Sequence, residues 1–202
     1  DTKVRATFVQ IWCEEVHDLL ADVGHERSAD GRSMGLKKLK VGLNEQWMNE
    51  QKPGHCAKGA TAVRCDGSPD KVLATLKSGV RNRTTGATKM NEYSSRSHAL
   101  FTLQLEIPST DGSCLCPRLH FVDLAGSERS ERAETTGQRL KEGNQINKSL
   151  LELGKVINAL SKGEQAFVRN SMLTMLLQDS LGGNAQTLFV ACVSPAADSR
   201  EE

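Results

Sequence analysis

The chain has 202 residues, which is enough for one domain with a hydrophobic core. Its apolar content of 38% and charged content of 25% are typical of a globular protein, and it contains no run of about 18 apolar residues that would predict a membrane span. The net charge of +1 gives no reason to expect nucleic acid as a partner, so only a local charged patch would attract a polyanion.

The N-terminal part of the chain predicts one well-defined strand followed by a stretch with few apolar anchors. Residues 6–12 combine β-branched and aromatic side chains over a short length, which predicts a buried strand. Residues 14–20 are expected to form a short helical turn. Residues 21–67 are rich in Gly, Lys, Asn and Ser, and we expect loops there with two short strands near 39–43 and 60–64.

A helix is predicted to begin at residue 68. Ser68 supplies a hydroxyl cap, Pro69 suits the first helical position, and Asp70 places an acid in the first turn. Gly79 is the expected end of this helix.

Two further strands and a turn follow. Residues 99–107 and 119–122 are strand-like, and the segment 108–117 between them is typical of a hairpin with Asp111 and Gly112 at its tip. The turn also carries Cys114 and Cys116, the only close pair among six cysteines. Their spacing is not a standard zinc pattern, and all six are expected to be reduced thiols.

The C-terminal part predicts two helices and a last strand. A long helix over about 138–162 has one buried face, formed by Ile146, Leu150, Leu153, Ile157 and Leu160. Lysines recur every seven residues and share one exposed stripe: Lys141, Lys148, Lys155 and Lys162. Leucines at 173, 176, 177 and 181 predict a second helix that Gly182 stops, and 187–193 reads as a buried strand. Strands alternating with helices predict an α/β fold around a largely buried sheet.

The strongest candidates for a functional site lie at the ends of the two strand-like runs 99–107 and 119–122. Asp123 followed by Gly126 is how many nucleotide hydrolases hold magnesium and sense a terminal phosphate, and the hydroxyl-rich loop 94–97 would supply further ligands. Arg96 and Glu128 would latch the two loops together if they meet. Each of these features also has an ordinary structural interpretation. Asp123 could belong to a turn, the loop 94–97 could form a helix cap or polar turn, and Arg96 with Glu128 could form a surface ion pair. The lysine stripe could be a solvated face.

The loop that would cradle the phosphates is missing from these 202 residues. The pattern Gly-x-x-x-x-Gly-Lys-Ser/Thr does not occur. The chain opens on Asp1 close to a strand, so we interpret it as a fragment or a partial gene model.

Several of these segments together resemble the kinesin motor domain. The stretch Asn-Glu-Tyr-Ser-Ser-Arg-Ser-His at 91–98 is similar to switch I, and Asp-Leu-Ala-Gly-Ser-Glu at 123–128 is similar to switch II. Residues 146–150 resemble the start of the microtubule-facing relay helix, residues 178–184 a late helix and turn, and 14–20 is also kinesin-like. The resemblance is near-continuous over 68–195 and patchy over 21–67.

The resemblance implies the C-terminal two-thirds of an α/β, P-loop NTPase-type motor core, with a central mixed and mostly buried sheet flanked by helices, over residues 1–202. Switch I would lie near 91–98, switch II near 123–128, and the microtubule-facing helices at about 138–181. The implied activity is an ATPase that works on microtubules with ATP and Mg²⁺, in the cytoplasm and on the microtubule cytoskeleton. No nucleic-acid partner or membrane insertion is implied, and dimerisation would use segments outside this chain.

The resemblance also assigns roles to individual residues. Asn91, Ser94, Ser95 and Gly126 would contact the nucleotide, with Ser94 and Ser95 ordering magnesium and the attacking water. Ser95 and Asp123 would hold the metal, Asp123 through water, and the Gly126 N–H would sense the γ-phosphate. Arg96 and Glu128 would form the salt bridge between the switches. The tubulin-facing residues would be Arg129, Lys141, Lys148, Lys155 and Arg169.

Two departures from the family pattern qualify this expectation. Without the phosphate-binding loop, we expect that the chain alone does not hydrolyse ATP. Met172 and Met175 stand where the family usually has basic residues that face tubulin. A non-motile pseudo-motor or a microtubule-associated scaffold is therefore the alternative. A small GTPase, which shares the Asp-x-x-Gly pattern, is disfavoured because no Asn-Lys-x-Asp motif is present.

Overall fold

The computed structural model describes residues 2–22, 36–43, 54–85, 96–127, 138–182 and 184–192, with the backbone alone for 84–85 and 138–146. The chain divides into two compact units. The first comprises Asp1–Lys40 and Ala57–Ala125, and the second comprises Val41–Cys56 and Gly126–Glu202.

The described elements are, in chain order, β1 (Lys3–Trp12), β2 (Glu15–Asp18), β3 (Lys37–Leu43), β4 (His55–Lys58), β5 (Val63–Arg64), α1 (Pro69–Thr85), β6 (His98–Pro108), β7 (Cys114–Leu115), β8 (Arg118–Asp123), α2 (Gln138–Ser161), a 3₁₀ turn (Val168–Asn170), α3 (Met172–Leu176) and α4 (Gln178–Gly182).

The sheet is built around β1 and β6, which pair antiparallel from Lys3 opposite Glu106 to Ile11 opposite His98. The other edge of β1 pairs with β2 and β5, and β6 also pairs with β8 and β7. Among the described residues the strand order is β4-β3-β2-β1-β6-β7. The predicted strands over 6–12, 99–107 and 119–122 are thereby confirmed, and both short strands expected within 21–67 have counterparts.

The predicted helical turn over 14–20 is wrong, because Glu15–Asp18 forms β2 and pairs with β1. Cys13 and Glu14 connect the two strands with φ values of 49° and 60°. Positive φ at both central residues is what a two-residue hairpin turn with the correct twist requires. Pairing with β1 therefore decides the conformation of this segment.

The core of the first unit lies between the sheet and α1. It contains Ala6, Phe8, Leu19, Cys65, Ala99 and Phe101. The rings of Phe8 and Phe101 meet edge to face with their centroids 5.3 Å apart, a favourable aromatic geometry.

The predicted end of α1 at Gly79 is wrong, since the helix continues to Thr85. Gly79 lies directly against Phe8, and a Cβ at this position would be 2.1 Å from Phe8 Cδ1. The glycine therefore permits a close approach of the helix to the sheet.

In the second unit, α2 confirms the predicted long helix, and Gly163 follows it with a φ of 70°. The buried face is rotated slightly from the predicted one. Ser149, Glu152, Leu153 and Val156 are buried, whereas Ile157 is 39% exposed.

The last predicted helix is present as two short helices, α3 and α4, with Leu173, Leu176 and Leu177 buried. The predicted buried strand over 187–193 is wrong for the part that the structure describes. Residues 187–192 form no strand, and Leu188 is 87% exposed. A strand needs a neighbour for its backbone hydrogen bonds, and no described strand pairs with this segment.

Within the described residues, no helix combines the length and apolar character that crossing a bilayer requires.

Candidate functional site

The candidate site of the first unit centres on an ion pair between Arg83 and Asp123. Arg83 lies in the last turn of α1, and Asp123 is the final residue of β8. Nη1 of Arg83 is 2.6 Å from Oδ2 of Asp123. The arginine side chain is only 9% exposed, whereas that of the aspartate is 68% exposed. The carboxylate is thus held from the protein side and presented to solvent.

Arg83 also holds the residue that precedes β6. Its Nη2 donates to the backbone oxygen of Ser97 at 2.7 Å, and its Nε donates to Ser97 Oγ at 3.4 Å. The planar guanidinium has several donors at fixed angles, which allows it to satisfy both groups and a carboxylate at once. One buried side chain therefore links the end of α1 to the start of β6 and the end of β8.

His98, the first residue of β6, fixes the segment that follows β8. Its Nδ1 accepts a hydrogen bond from the N–H of Ala125 at 3.0 Å, and both residues are buried. Burial, reinforced by the charge of Arg83 and opposed by Asp123, lowers the pKa of His98 from 6.5 to about 4. The imidazole is therefore neutral near pH 7, as an accepting Nδ1 requires.

The position of Asp123 fits a magnesium ion bound through water. Magnesium keeps several waters and needs only one or two carboxylates, so a large protein cage is not required. In the described ranges no group of three or more His, Cys, Asp or Glu residues is arranged to hold a metal. Asp123 contacts Arg83 through Oδ2, and 68% of its side chain is exposed, so the carboxylate can also be reached from solvent.

Other predicted nucleotide-site residues are described only in part. Arg96 is half-buried just before β6, and Gly126 lies in the irregular segment after β8. Asn91, Ser94, Ser95 and Glu128 lie outside the described residues, so the pairing of Arg96 with Glu128 stays a prediction.

The predicted cationic surface belongs to the second unit. Lys148, Lys155 and Arg169 are exposed, as is Lys162 of the lysine stripe. Arg129 and the side chain of Lys141 lie outside the described residues.

Lys155 has an acidic partner that the sequence reasoning did not consider. Its Nζ lies 2.7 Å from Oε1 of Glu152, whose side chain is 8% exposed. Oε2 of Glu152 accepts from Asn170 Nδ2 at 2.9 Å, which connects α2 to the 3₁₀ turn. The hydrogen bond from Lys155, followed by that from Asn170, lowers the pKa of Glu152. The positive charge of Lys155 is therefore partly compensated.

Sequence reasoning also missed Arg83, although a signal was present. Val72, Leu76, Gly79 and Arg83 recur at four, three and four residues, so they share one face of α1. Val72 and Leu76 pack against the core, and Gly79 contacts Phe8. A charged residue that continues a buried face predicts an oppositely charged partner within reach of its side chain.

Comparisons with known proteins identify the family to which the chain belongs. A family model described as the kinesin motor domain matches residues 1–202. The chain is 40% identical over 221 aligned residues to Kinesin-like protein KIN-4C of Arabidopsis thaliana, covering 98% of this chain and 17% of that protein. It is 41% identical over 205 aligned residues to Chromosome-associated kinesin KIF4A of Homo sapiens, covering 98% of this chain and 15% of that protein.

Solved structures show the same fold. A KIF14 dimer with AMP-PNP in complex with a microtubule has a TM-score of 0.82 at 38% identity, covering all of this chain and 55% of that one. The structure of a fast kinesin has a TM-score of 0.72 at 34% identity, covering 92% of this chain and 48% of that one.

The fold is that of an α/β core with a candidate functional site at the end of β8, and the predicted fold class is confirmed. The chain belongs to the kinesin motor domain family. It spans about half the length of the solved motor chains and less than a quarter of the curated relatives.

Proposed function

We propose that this chain is part of a motor domain that hydrolyses ATP and acts on microtubules. The observation that carries the proposal is the buried Arg83 that presents an exposed carboxylate, Asp123, at the end of β8. Membership of the kinesin family supports the same conclusion, since one relative was solved with AMP-PNP in complex with a microtubule.

In this proposal, Asp123 binds the water shell of the magnesium ion that accompanies ATP. Bound magnesium would neutralise the charge that develops on the phosphate oxygens. Arg83 fixes the carboxylate through its hydrogen bonds to Ser97 and Asp123. Ser94 and Ser95 order the metal and the attacking water, and Asn91 contributes to the nucleotide site.

The state of the nucleotide would be communicated by the segment that follows β8. Gly126 would sense the γ-phosphate through its backbone N–H, and Glu128 would pair with Arg96. Ala125, which directly precedes Gly126, is held by the neutral imidazole of His98. This anchor limits the movement of the segment to the residues beyond Ala125.

The exposed cations of the second unit would contact the acidic surface of tubulin. Lys148, Lys155 and Arg169 are exposed, and we propose that Arg129 and Lys141 join them. Long-range attraction between opposite charges would raise the association rate and make binding sensitive to salt.

Residues outside this chain would complete the enzyme. Because a Gly-x-x-x-x-Gly-Lys-Ser/Thr loop does not occur in residues 1–202, we propose that the chain alone does not hydrolyse ATP. The complete protein would work in the cytoplasm on the microtubule cytoskeleton. Dimerisation, as in the KIF14 structure, would use other segments.

The test uses the full-length protein and polymerised microtubules. We expect more protein to pellet with microtubules in AMP-PNP than in ADP, and microtubules to stimulate ATP hydrolysis. Asp123→Asn keeps the shape of the side chain but weakens the metal site, so hydrolysis is expected to fall by at least about tenfold while the protein still pellets. Equal pelleting in both nucleotides, or full hydrolysis by the variant, would refute the proposal.

A non-motile scaffold is the second candidate function. It is favoured by the compensation of Lys155 by Glu152, together with Met172 and Met175 at positions where the family usually has basic residues. A scaffold would pellet with microtubules to the same extent in every nucleotide and would show no stimulated hydrolysis.

A further inference from the structure

The hairpin formed by the end of β6 and β7 leads into two cysteines in close contact. β7 pairs with the end of β6, with Cys114 opposite Pro108 and Leu115 opposite Ile107. The turn between the strands is closed by the Ser109 N–H, which donates to the Ser113 oxygen at 2.9 Å.

The tip of this hairpin is well stabilised by further hydrogen bonds. Asp111 accepts from the N–H of Ser113 at 2.9 Å and from its hydroxyl at 2.6 Å. Gly112 adopts a φ of 83°, which suits a tight turn. The backbone that carries the cysteines is therefore held in one conformation.

The two sulfur atoms are neighbours. Cys114 lies in β7 and Cys116 directly follows that strand, and Sγ of Cys116 lies 3.8 Å from Sγ of Cys114. Cys114 is exposed and Cys116 is half-buried. One thiol is thus open to reagents from solvent, with a second thiol directly beside it.

We propose that Cys114 and Cys116 form a reversible intramolecular disulfide when the protein meets a peroxide. The exposed Cys114 thiolate attacks one peroxide oxygen, the O–O bond breaks, and a first water leaves after protonation, which gives Cys114 sulfenic acid. Cys116 then attacks the sulfur of Cys114, the S–O bond breaks, and a second water leaves. Two thiols are oxidised to one disulfide, and one hydrogen peroxide is reduced to two waters.

The geometry also makes this bond easy to reduce. Only Leu115 separates the two cysteines, so the disulfide would close a small ring. The sulfurs must approach from 3.8 Å to about 2.05 Å. Closure therefore requires the backbone to adjust, and strained, exposed disulfides are the labile ones. Cellular dithiols would reopen it.

The test exploits a convenient tryptic peptide. Cleavage after Arg96 and Arg118 releases residues 97–118, which contain Cys114 and Cys116 and no other cysteine. The full-length protein is treated with graded hydrogen peroxide, alkylated with N-ethylmaleimide, digested and examined by mass spectrometry. We expect the oxidised peptide to carry no alkyl adduct and to be two hydrogen atoms lighter than the unalkylated dithiol peptide. Dithiothreitol added before N-ethylmaleimide is expected to restore both adducts.

Single substitutions separate the two steps. In Cys116→Ser, Cys114 is expected to stop at sulfenic acid, which dimedone traps, and the disulfide form is expected to disappear. Cys192, an exposed thiol in another tryptic peptide, serves as the internal reference for peroxide reactivity. The proposal is overturned if Cys114 and Cys116 remain alkylatable at peroxide levels that consume Cys192. It is equally overturned if the pair goes to sulfinic acid without the disulfide, or links two molecules on a non-reducing gel.

Discussion

The guanidinium of Arg83 and the carboxylate of Asp123 lie 2.6 Å apart, yet the arginine is almost fully buried and the aspartate is largely exposed. This asymmetry gives the two residues different tasks. In the proposed function, Arg83, which also donates hydrogen bonds to Ser97, positions the carboxylate, and Asp123 binds the ligand. Substitution of each residue should therefore affect different measurements.

Replacement of Arg83 by alanine is expected to destabilise the complete motor domain by roughly 2–4 kcal/mol, because it leaves the buried oxygen of Ser97 without this donor and opens a cavity. Arg83→Lys is the matched control. It retains the charge near Asp123 but not the planar set of donors, so an intermediate loss is expected. Thermal unfolding measures stability, and ATP hydrolysis should fall in the same order. An alanine variant as stable as the wild type would contradict the assigned role.

His98 predicts a defined pH dependence of stability. Its pKa is about 4 in the folded protein and 6.5 ordinarily, so the unfolded chain binds more protons between these values. Stability is therefore fully present above pH 6.5 and is lost as the pH falls toward 4, by about 3 kcal/mol at most. Urea unfolding across this range measures the loss. His98→Asn keeps an acceptor for the Ala125 N–H and should flatten this part of the profile, whereas an unchanged slope would assign it to other groups.

The Glu152–Lys155 pair predicts that removal of a charge will strengthen microtubule binding. Glu152→Gln keeps an acceptor for Asn170 and removes the negative charge beside Lys155, so affinity is expected to rise by up to roughly fivefold, the value of a partly exposed charge of about 1 kcal/mol. Co-sedimentation over a salt series provides the measurement, and the gain should diminish as salt increases. Lys155→Gln is the paired control and should lower the affinity. Weaker binding by Glu152→Gln would show that the pair acts through structure.

Two helical glycines allow a matched test of packing. Gly79→Ala places a Cβ 2.1 Å from a ring carbon of Phe8, and overpacking of this kind costs about 1–3 kcal/mol, more than the gain in helix propensity of about 1 kcal/mol. Gly154→Ala in α2 meets nothing within 4 Å, so it should stabilise the protein by about 0.5–1 kcal/mol. Thermal unfolding of both variants gives the comparison. Similar effects at the two positions would contradict the proposed close approach.

Much of the fold follows from local sequence patterns. Most of the strands lie where strand-like runs predict them, and the periodicity of isoleucines and leucines locates α2. The exceptions depend on contacts that are remote in sequence. The segment 15–18 becomes a strand because β1 pairs with it, and Gly79 lies inside α1, where the missing side chain leaves room for Phe8. Residues 187–192 fit the strand pattern but have no partner among the described strands.

The candidate site was also predictable only where local sequence determines it. The motif identifies Asp123, since a strand-end aspartate before a glycine is visible in the sequence. Nothing local to Asp123 identifies Arg83, because the two residues meet only when α1 packs on the sheet that contains β8. The acidic partner of Lys155 could have been predicted from the sequence, because Glu152 precedes it by three residues on one helix.

The register of β1 has a consequence for synthesis on the ribosome. Lys3 lies opposite Glu106 and Ile11 lies opposite His98, so one long edge of β1 has no partner until about 100 further residues are translated. At about 5–20 residues per second this takes roughly 5–20 seconds. During that interval β2 and then β5 can pair with the opposite edge of β1, but the edge that faces β6 stays open. An open strand edge with apolar side chains can pair with another chain, so this interval is when the nascent chain is most exposed to aggregation.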